Sequence, residues 1–234
     1  MVVVLSIIRG PEHREGRLRE VSPPLLDNRY FILASNRGPV EHHLNSGQLR
    51  MTRGTGGVVT VLNALSKFVP FTCVTSAVGE GDRHAVALAK GANIPVTVGE
   101  QELFLRYIVS PKSVYDRYYN VFSNPFLWFA QHSMWDLSYE PNIDFSIHDA
   151  WERGYVPVNR AFAEAIVDEA AALDVPPVVM LHDYHLYLVG AQVRQSLQHA
   201  LIQHFIHIPW PSPRHWTIVP QQMREAILES LCSC

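Results

Sequence analysis

The hydrophobic pattern of this chain changes period along its length, and each change marks an element. Apolar runs bounded by polar, glycine or proline residues occur at Tyr30–Ala34, Phe71–Ala77, Pro95–Val98, Leu103–Val109, Val178–Leu181 and Ile202–Ile206, and these predict strands. Elsewhere the apolar positions recur at steps of three and four. Val58, Val61, Leu62 and Leu65 predict a helix over Val58–Phe68, and His84–Lys90 predicts a short one after a turn at Gly79–Arg83. Ser113–Asn124 begins as a helix that buries Tyr115, Tyr118, Tyr119 and Phe122. Trp151–Asp174 carries Tyr155, Val158, Phe162, Ile166 and Ala170 on one stripe, with Pro176-Pro177 as its stop, and is the clearest helix. Glu41–Arg53 reads as a polar hairpin with Asn45-Ser46-Gly47 at its tip, Ser212-Pro213 starts a helical turn around Trp216, and Gln221–Leu231 forms a last amphipathic helix.

Strands alternating with helices predict an α/β fold: a Rossmann-like, mostly parallel open sheet with helices on both faces. The stretch Pro177–Pro213 organises it. Two apolar runs flank a helical pattern (Leu186, Val189, Val193, Leu197), which makes a strand–helix–strand unit with parallel strands and a right-handed crossover. His182 and Asp183 end its first strand and His207 follows its second, so all three share one rim of the sheet. Ligands of open α/β sheets bind in the crevice beyond the carboxyl ends of the strands. A carboxylate and two imidazoles are therefore expected in a small-molecule site.

Composition narrows the function classes. A formal net charge of −3 gives no electrostatic reason to expect nucleic acid or an anionic membrane as partner. The longest apolar run, Val2–Ile8 broken by Ser6, is too short to span a bilayer and lacks a preceding basic residue, which predicts a cytoplasmic location. The three cysteines, Cys73, Cys232 and Cys234, form no CxxC pair, so neither structural zinc nor a disulfide scaffold is signalled. No HExxH occurs, and His42, His43 and the scattered other histidines read as surface or capping residues. Residues 1–28, with Gly10-Pro11 and Pro23-Pro24, read as an extended N-terminal segment ahead of one domain over 29–234.

Arg53-Gly54-Thr55-Gly56-Gly57 opens directly into a predicted helix, an arrangement that offers unpaired N–H groups to an anion, although any tight turn into a helix looks the same. Arg37, just past the first strand, is a second anion-binding element facing the same crevice. The loop is neither a GxGxxG nor a Walker loop, and no strand is followed by the dinucleotide fingerprint, which disfavours a nicotinamide dehydrogenase. The aromatic density of 115–135 reads mostly as core, with rings near the rim suited to the apolar face of a sugar.

Six motifs occur in order: SNRGPV (35–40), GTGG (54–57), YDRYYNVFSNPFLW (115–128), VNRAFAEAI (158–166), LHDYHLYLV (181–189) and FIHIPWPSP (205–213). Together they resemble the N-terminal half of trehalose-6-phosphate synthases, retaining glycosyltransferases of GT-B architecture. The resemblance covers residues 30 to 231 and implies transfer of glucose from a nucleotide sugar, UDP-glucose, to glucose 6-phosphate, with no metal and no further cofactor. It implies that Arg37 holds the acceptor phosphate, that Gly56 and Gly57 close near the donor diphosphate, and that Tyr119 and Trp128 contact the acceptor sugar. It places the catalytic positions at Asp183, by the acceptor hydroxyls, and at His207, beside the transferred glucose, with His182 lining the same rim. A single carboxylate does not supply a double displacement, which needs two; the family is described by a same-face transfer in which the departing phosphate takes the acceptor proton. Asp183 then positions rather than attacks, and it reads equally as a cap of the following helix.

Near Cys73 the family has a tryptophan at its acceptor pocket that this chain lacks. The chain stops after a helix at Cys234, so the C-terminal donor-binding domain is expected to be absent and supplied by a separate chain, with self-association as the other way to cover the exposed inter-domain face. Two further readings remain: a sugar-phosphate-binding or regulatory module without catalysis, and a related glycosyltransferase with another phosphorylated acceptor, such as glycerol 3-phosphate.

Overall fold

The computed structural model describes residues 30–54, 60, 71–98, 101–134 and 143–234. The expected N-terminal segment, Gly56 and Gly57, and all but Thr60 of the helix expected over Val58–Phe68 lie outside the described residues.

The strands are β1 (Phe31–Ser35), β2 (Val40–Asn45), β3 (Gln48–Arg53), β4 (Phe71–Ser76), β5 (Ile94–Val98), β6 (Gln101–Ile108), β7 (Val178–His182) and β8 (Leu201–Phe205). Six of them form one sheet in the order β5-β6-β4-β1-β7-β8. All neighbours pair in parallel except β5 with β6, and β2 and β3 form a separate antiparallel hairpin. The strand order runs outward on one side of β1 and then resumes on its other side with β7. This reversal makes the β1/β7 border the topological switch point, where parallel sheets open a crevice.

Side chains alternate across β1, and both sets are buried. Ile32 and Ala34 join a large cluster with Tyr118, Phe122, Tyr155, Phe162 and Ile166, while Phe31 and Leu33 join Phe71, Cys73, Leu103 and Leu105 on the opposite face. Burial on both faces is why these central strands read as continuous apolar runs.

The helices are α1 (Glu80–Leu88), α2 (Lys112–Asp116), α3 (Phe129–Gln131), α4 (Phe145–Ala150), α5 (Val156–Ala171), α6 (Val189–Ser196), α7 (Pro213–Trp216) and α8 (Gln221–Leu231). Two corrections to the sequence reading have a shared cause. The helix expected over Ser113–Asn124 continues to Gln131 through a π-helical stretch, Arg117–Trp128, which contains Pro125. The helix expected over Trp151–Asp174 begins earlier, at Phe145, ends at Ala171, and passes through π-helical Trp151–Tyr155. The two wide stretches pack on each other at Gly154, where a Cβ would stand 2.6 Å from the Cβ of Arg117 and from the backbone nitrogen of Tyr118. Periodicity marks apolar positions but does not register a widened turn. Of the residues expected to turn at Gly79–Arg83, Gly79 is the extended N-cap and Glu80–Arg83 are already helical in α1.

Candidate functional site

The rim forms where β1, β7 and β8 end side by side. Ala34 pairs with Leu181 and His182 with Phe205, so Arg37, Asp183 and His207 emerge just beyond three adjacent parallel strand ends. The expected juxtaposition of His182, Asp183 and His207 is present. His182 Nδ1 lies 2.9 Å from His207 Nε2, with the ring planes 21° apart and the centroids separated by 5.2 Å, an edge-to-edge contact. The Asp183 carboxylate accepts from the backbone N–H of His207 at 3.3 Å, and it makes no side-chain cap to the 3-10 turn Tyr184–Leu186.

Asp183 is held in an unusual conformation, with φ 71° and ψ 172°. That region is close to glycine-only, so the backbone stores strain and surrounding contacts must impose it. They are visible: the Asp183 N–H donates to the Phe205 carbonyl at 2.7 Å, and the His204 Nε2–H donates to the Asp183 carbonyl at 2.9 Å. The following residues are stitched to α5 and to the π-helical turn before it. Tyr155 Oη donates to the Tyr184 carbonyl at 2.6 Å, and Asn159, fully buried, donates to the His185 carbonyl at 3.0 Å and accepts from the Leu188 N–H at 3.0 Å.

Burial sets the electrostatics. It pushes the His182 pKa down to about 3, with His207 and His204 adding to the effect, and it lowers His207 against the pull of Asp183. The two rings therefore share a neutral hydrogen bond. His182 Nε2 is buried without a partner, so the tautomer that donates from Nδ1 to His207 leaves only a lone pair unsatisfied. Burial also raises the Asp183 carboxyl, opposed by the N–H groups of Tyr184 and His207 and by the His207 ring. A carboxylate made this basic is a good acceptor for a hydroxyl proton in a hydrogen bond.

Arg37 follows β1 and lines a cavity with hairpin residues Val40, Glu41, His42 and His43, which neither Asp183 nor His207 lines. Its Nη1 lies 3.2 Å from Glu41 Oε1, and its charge is reinforced by Tyr119, Tyr115 and Glu41 against the opposing effect of burial, so that its pKa is raised. Tyr119 stacks between Tyr115 and His185, at 5.6 Å from each. A groove of about 360 Å³ opens beside this stack, lined by Tyr119, Asn124, Pro125, Trp128, Phe129 and Tyr184. Trp128 is braced by the His132 ring at 4.0 Å, and Tyr184 Oη donates to Asn124 Oδ1 at 2.7 Å. Tyr119 and Trp128 thus line the groove, whereas Tyr118, Phe122 and Phe126 are core.

Sequence reasoning misread several histidines. His42 is buried rather than surface: its Nδ1–H donates to Tyr107 Oη at 2.9 Å, Tyr107 donates to Asp82 at 3.1 Å, and the His42 N–H donates to Asp82 at 2.9 Å. His185 and His204 each enclose an unpartnered ring nitrogen, and burial lowers them to about 3 and about 4. Their partners come from distant elements, which no local pattern announces. Cys73 lies at the middle of β4, fully buried, with its thiol pushed up to about 12 by burial. The residues that this strand's exit contributes to a cavity of about 120 Å³ beside Arg37 are Ser76, Val78 and Gly79. Among the described residues no group of three or more His, Cys, Asp or Glu side chains is placed to hold a metal ion, and no helix is long and apolar enough to cross a membrane.

The fold is that of the N-terminal domain of GT-B glycosyltransferases. The alpha,alpha-trehalose-phosphate synthase of Burkholderia xenovorans, solved in complex with glucose-6-phosphate, superposes with a TM-score of 0.61 at 23% identity, covering 87% of this chain and 38% of that one. The family model described as glycosyltransferase family 20 matches residues 29–234, and the chain belongs to that family. It is 30% identical over 204 residues to validamine 7-phosphate valienyltransferase of Streptomyces hygroscopicus (86% of this chain, 40% of that protein). It is 30% identical over 216 residues to the UDP-forming alpha,alpha-trehalose-phosphate synthase of Botryotinia fuckeliana (87% and 36%). The chain therefore spans no more than 40% of the length of these relatives.

Proposed function

We propose that residues 29–234 form the acceptor-binding domain of a trehalose-6-phosphate synthase-like glycosyltransferase. The observation that carries this reading is the convergence of Arg37, Asp183 and His207 on adjacent parallel strand ends at the switch point, beside a groove walled by Tyr119 and Trp128. A guanidinium pairs with the phosphate of glucose 6-phosphate, the aromatic rings cover apolar faces of its sugar, and Asp183 orients an acceptor hydroxyl by accepting its hydrogen bond. His207, its ring and tautomer set by His182, stands beside the glucose to be transferred. The glucose arrives as UDP-glucose, and the donor's phosphate takes the acceptor proton. Gly56 and Gly57, the residues assigned to the donor diphosphate, lie outside the described residues. The donor-binding half is supplied outside residues 29–234, by another segment, a separate chain or a second copy, and transfer depends on it.

A second reading, the same site with another phosphorylated acceptor, is favoured by the valienyltransferase relative at 30% identity, whose name specifies a different phosphorylated acceptor. Calorimetric titration with glucose 6-phosphate, validamine 7-phosphate and UDP-glucose separates these readings. Glucose 6-phosphate binding tightest supports the first, and validamine 7-phosphate binding tightest supports the second. Binding of UDP-glucose alone contradicts both.

A further inference from the structure

Glu41 is the second residue of β2, and its position is fixed from several directions. Glu41 pairs with Thr52 across the hairpin. The hairpin is in turn clamped to α1, where a Cβ on Gly81 would stand 2.1 Å from the His42 carbonyl oxygen. The neighbouring His42 N–H is tied to Asp82 at 2.9 Å. With its backbone so placed, Glu41 directs one carboxylate oxygen to Arg37 at 3.2 Å and the other toward His43 Nε2 at 4.0 Å, while His43 is itself hydrogen-bonded to Thr52 at 2.9 Å. Arg37 and Glu41 both line the 120 Å³ cavity, and Tyr119 lies on the groove side of Arg37.

We propose that Glu41 sets the phosphate affinity of the acceptor site: its carboxylate occupies the Arg37 guanidinium in the free protein and competes with the acceptor's phosphate for it. This rests on the reading of Arg37 as the phosphate-binding residue. The contact is single-point, one nitrogen to one oxygen, rather than the bidentate fork that would make it hard to exchange. Both side chains are partly exposed, at 41% and 28%, so the pair is weak enough for a dianion to displace. A phosphate that takes Arg37 still meets the carboxylate across the cavity, and like charges at that separation repel. A phosphate group alone is therefore rejected, and only a ligand that also gains from the sugar groove of Tyr119 and Trp128 recovers the cost. The substrate class is a sugar monophosphate with an intact ring, and free phosphate is excluded.

The test is calorimetric titration of the wild type, Glu41→Gln, Arg37→Ala and the double variant with glucose 6-phosphate, inorganic phosphate and glucose. Glu41→Gln is expected to tighten glucose 6-phosphate about tenfold and to tighten inorganic phosphate by a similar factor. Glucose binding stays unchanged. In the Arg37→Ala background the gain shrinks, because only the direct repulsion remains once the competition for Arg37 is gone. Unchanged or weaker phosphate binding by Glu41→Gln overturns the proposal. Equal glucose 6-phosphate binding by the wild type and Arg37→Ala, or none by the wild type and Glu41→Gln alike, overturns instead the reading of the site beneath it.

Discussion

His182 and His207 stand at the ends of neighbouring parallel strands with Nδ1 and Nε2 2.9 Å apart and their rings edge to edge. The pair is neutral because burial holds His182 at about 3, below its ordinary 6.5. In the unfolded chain that imidazole takes a proton near 6.5, so between about 3 and 6.5 the unfolded state binds more protons than the folded one. Stability therefore falls as pH falls through this window, by about 1.4 kcal/mol per pH unit for His182, and the depressed His185 and His204 act in the same direction. The raised Asp183 opposes them over part of the range. Urea unfolding at pH 7.5, 6 and 5 should show midpoints dropping with acid; a flat profile would contradict the neutral buried pair.

The strain at Asp183 gives a prediction that does not depend on function. Both Asp183→Ala and Asp183→Gly remove the carboxylate, but only glycine adopts φ 71° and ψ 172° without cost. The glycine variant should be more stable than the alanine variant by about 1–3 kcal/mol in denaturant unfolding. Equal stability of the two variants would mean that the backbone relaxes.

Asp82 ties the hairpin to the sheet. Its carboxylate accepts from the N–H groups of Val78, Gly79 and His42 and from Tyr107 Oη, and its pKa is lowered because these hydrogen bonds, His42 first, outweigh burial. Asp82→Ala leaves these donors unsatisfied in a buried setting and should cost about 2–4 kcal/mol. Faster hydrogen exchange at the His42 amide would confirm that the hairpin is released. Protection equal to the wild type would show that other contacts suffice.

Arg37→Ala should weaken glucose 6-phosphate binding by about 1.5–3 kcal/mol while leaving unfolding midpoints nearly unchanged, since the side chain is partly exposed and its ion pair is weak. Calorimetry beside thermal unfolding checks both halves. An unchanged affinity removes Arg37 from the site.

Much of this protein was legible from residue order alone. Central strands buried on both faces are largely apolar, so β1, β4 and β7 announce themselves even though β4 also buries Thr72 and Thr75, and Asn45-Ser46-Gly47 supplies the turn that joins β2 to β3. The rim follows from topology, because consecutive parallel strands place their carboxyl ends together, which brings His182, Asp183 and His207 to one edge. Tertiary structure alone decided how that rim is held. The π-helical stretches, the left-handed backbone at Asp183, the Asn159 and Tyr155 braces, the His42–Tyr107–Asp82 chain and the Arg37–Glu41 pair depend on burial and on partners from separate elements. A histidine's neutrality or an aspartate's strain is a property of what surrounds it, and for all but Arg37 and Glu41, four residues apart, that surrounding is assembled only when remote segments pack.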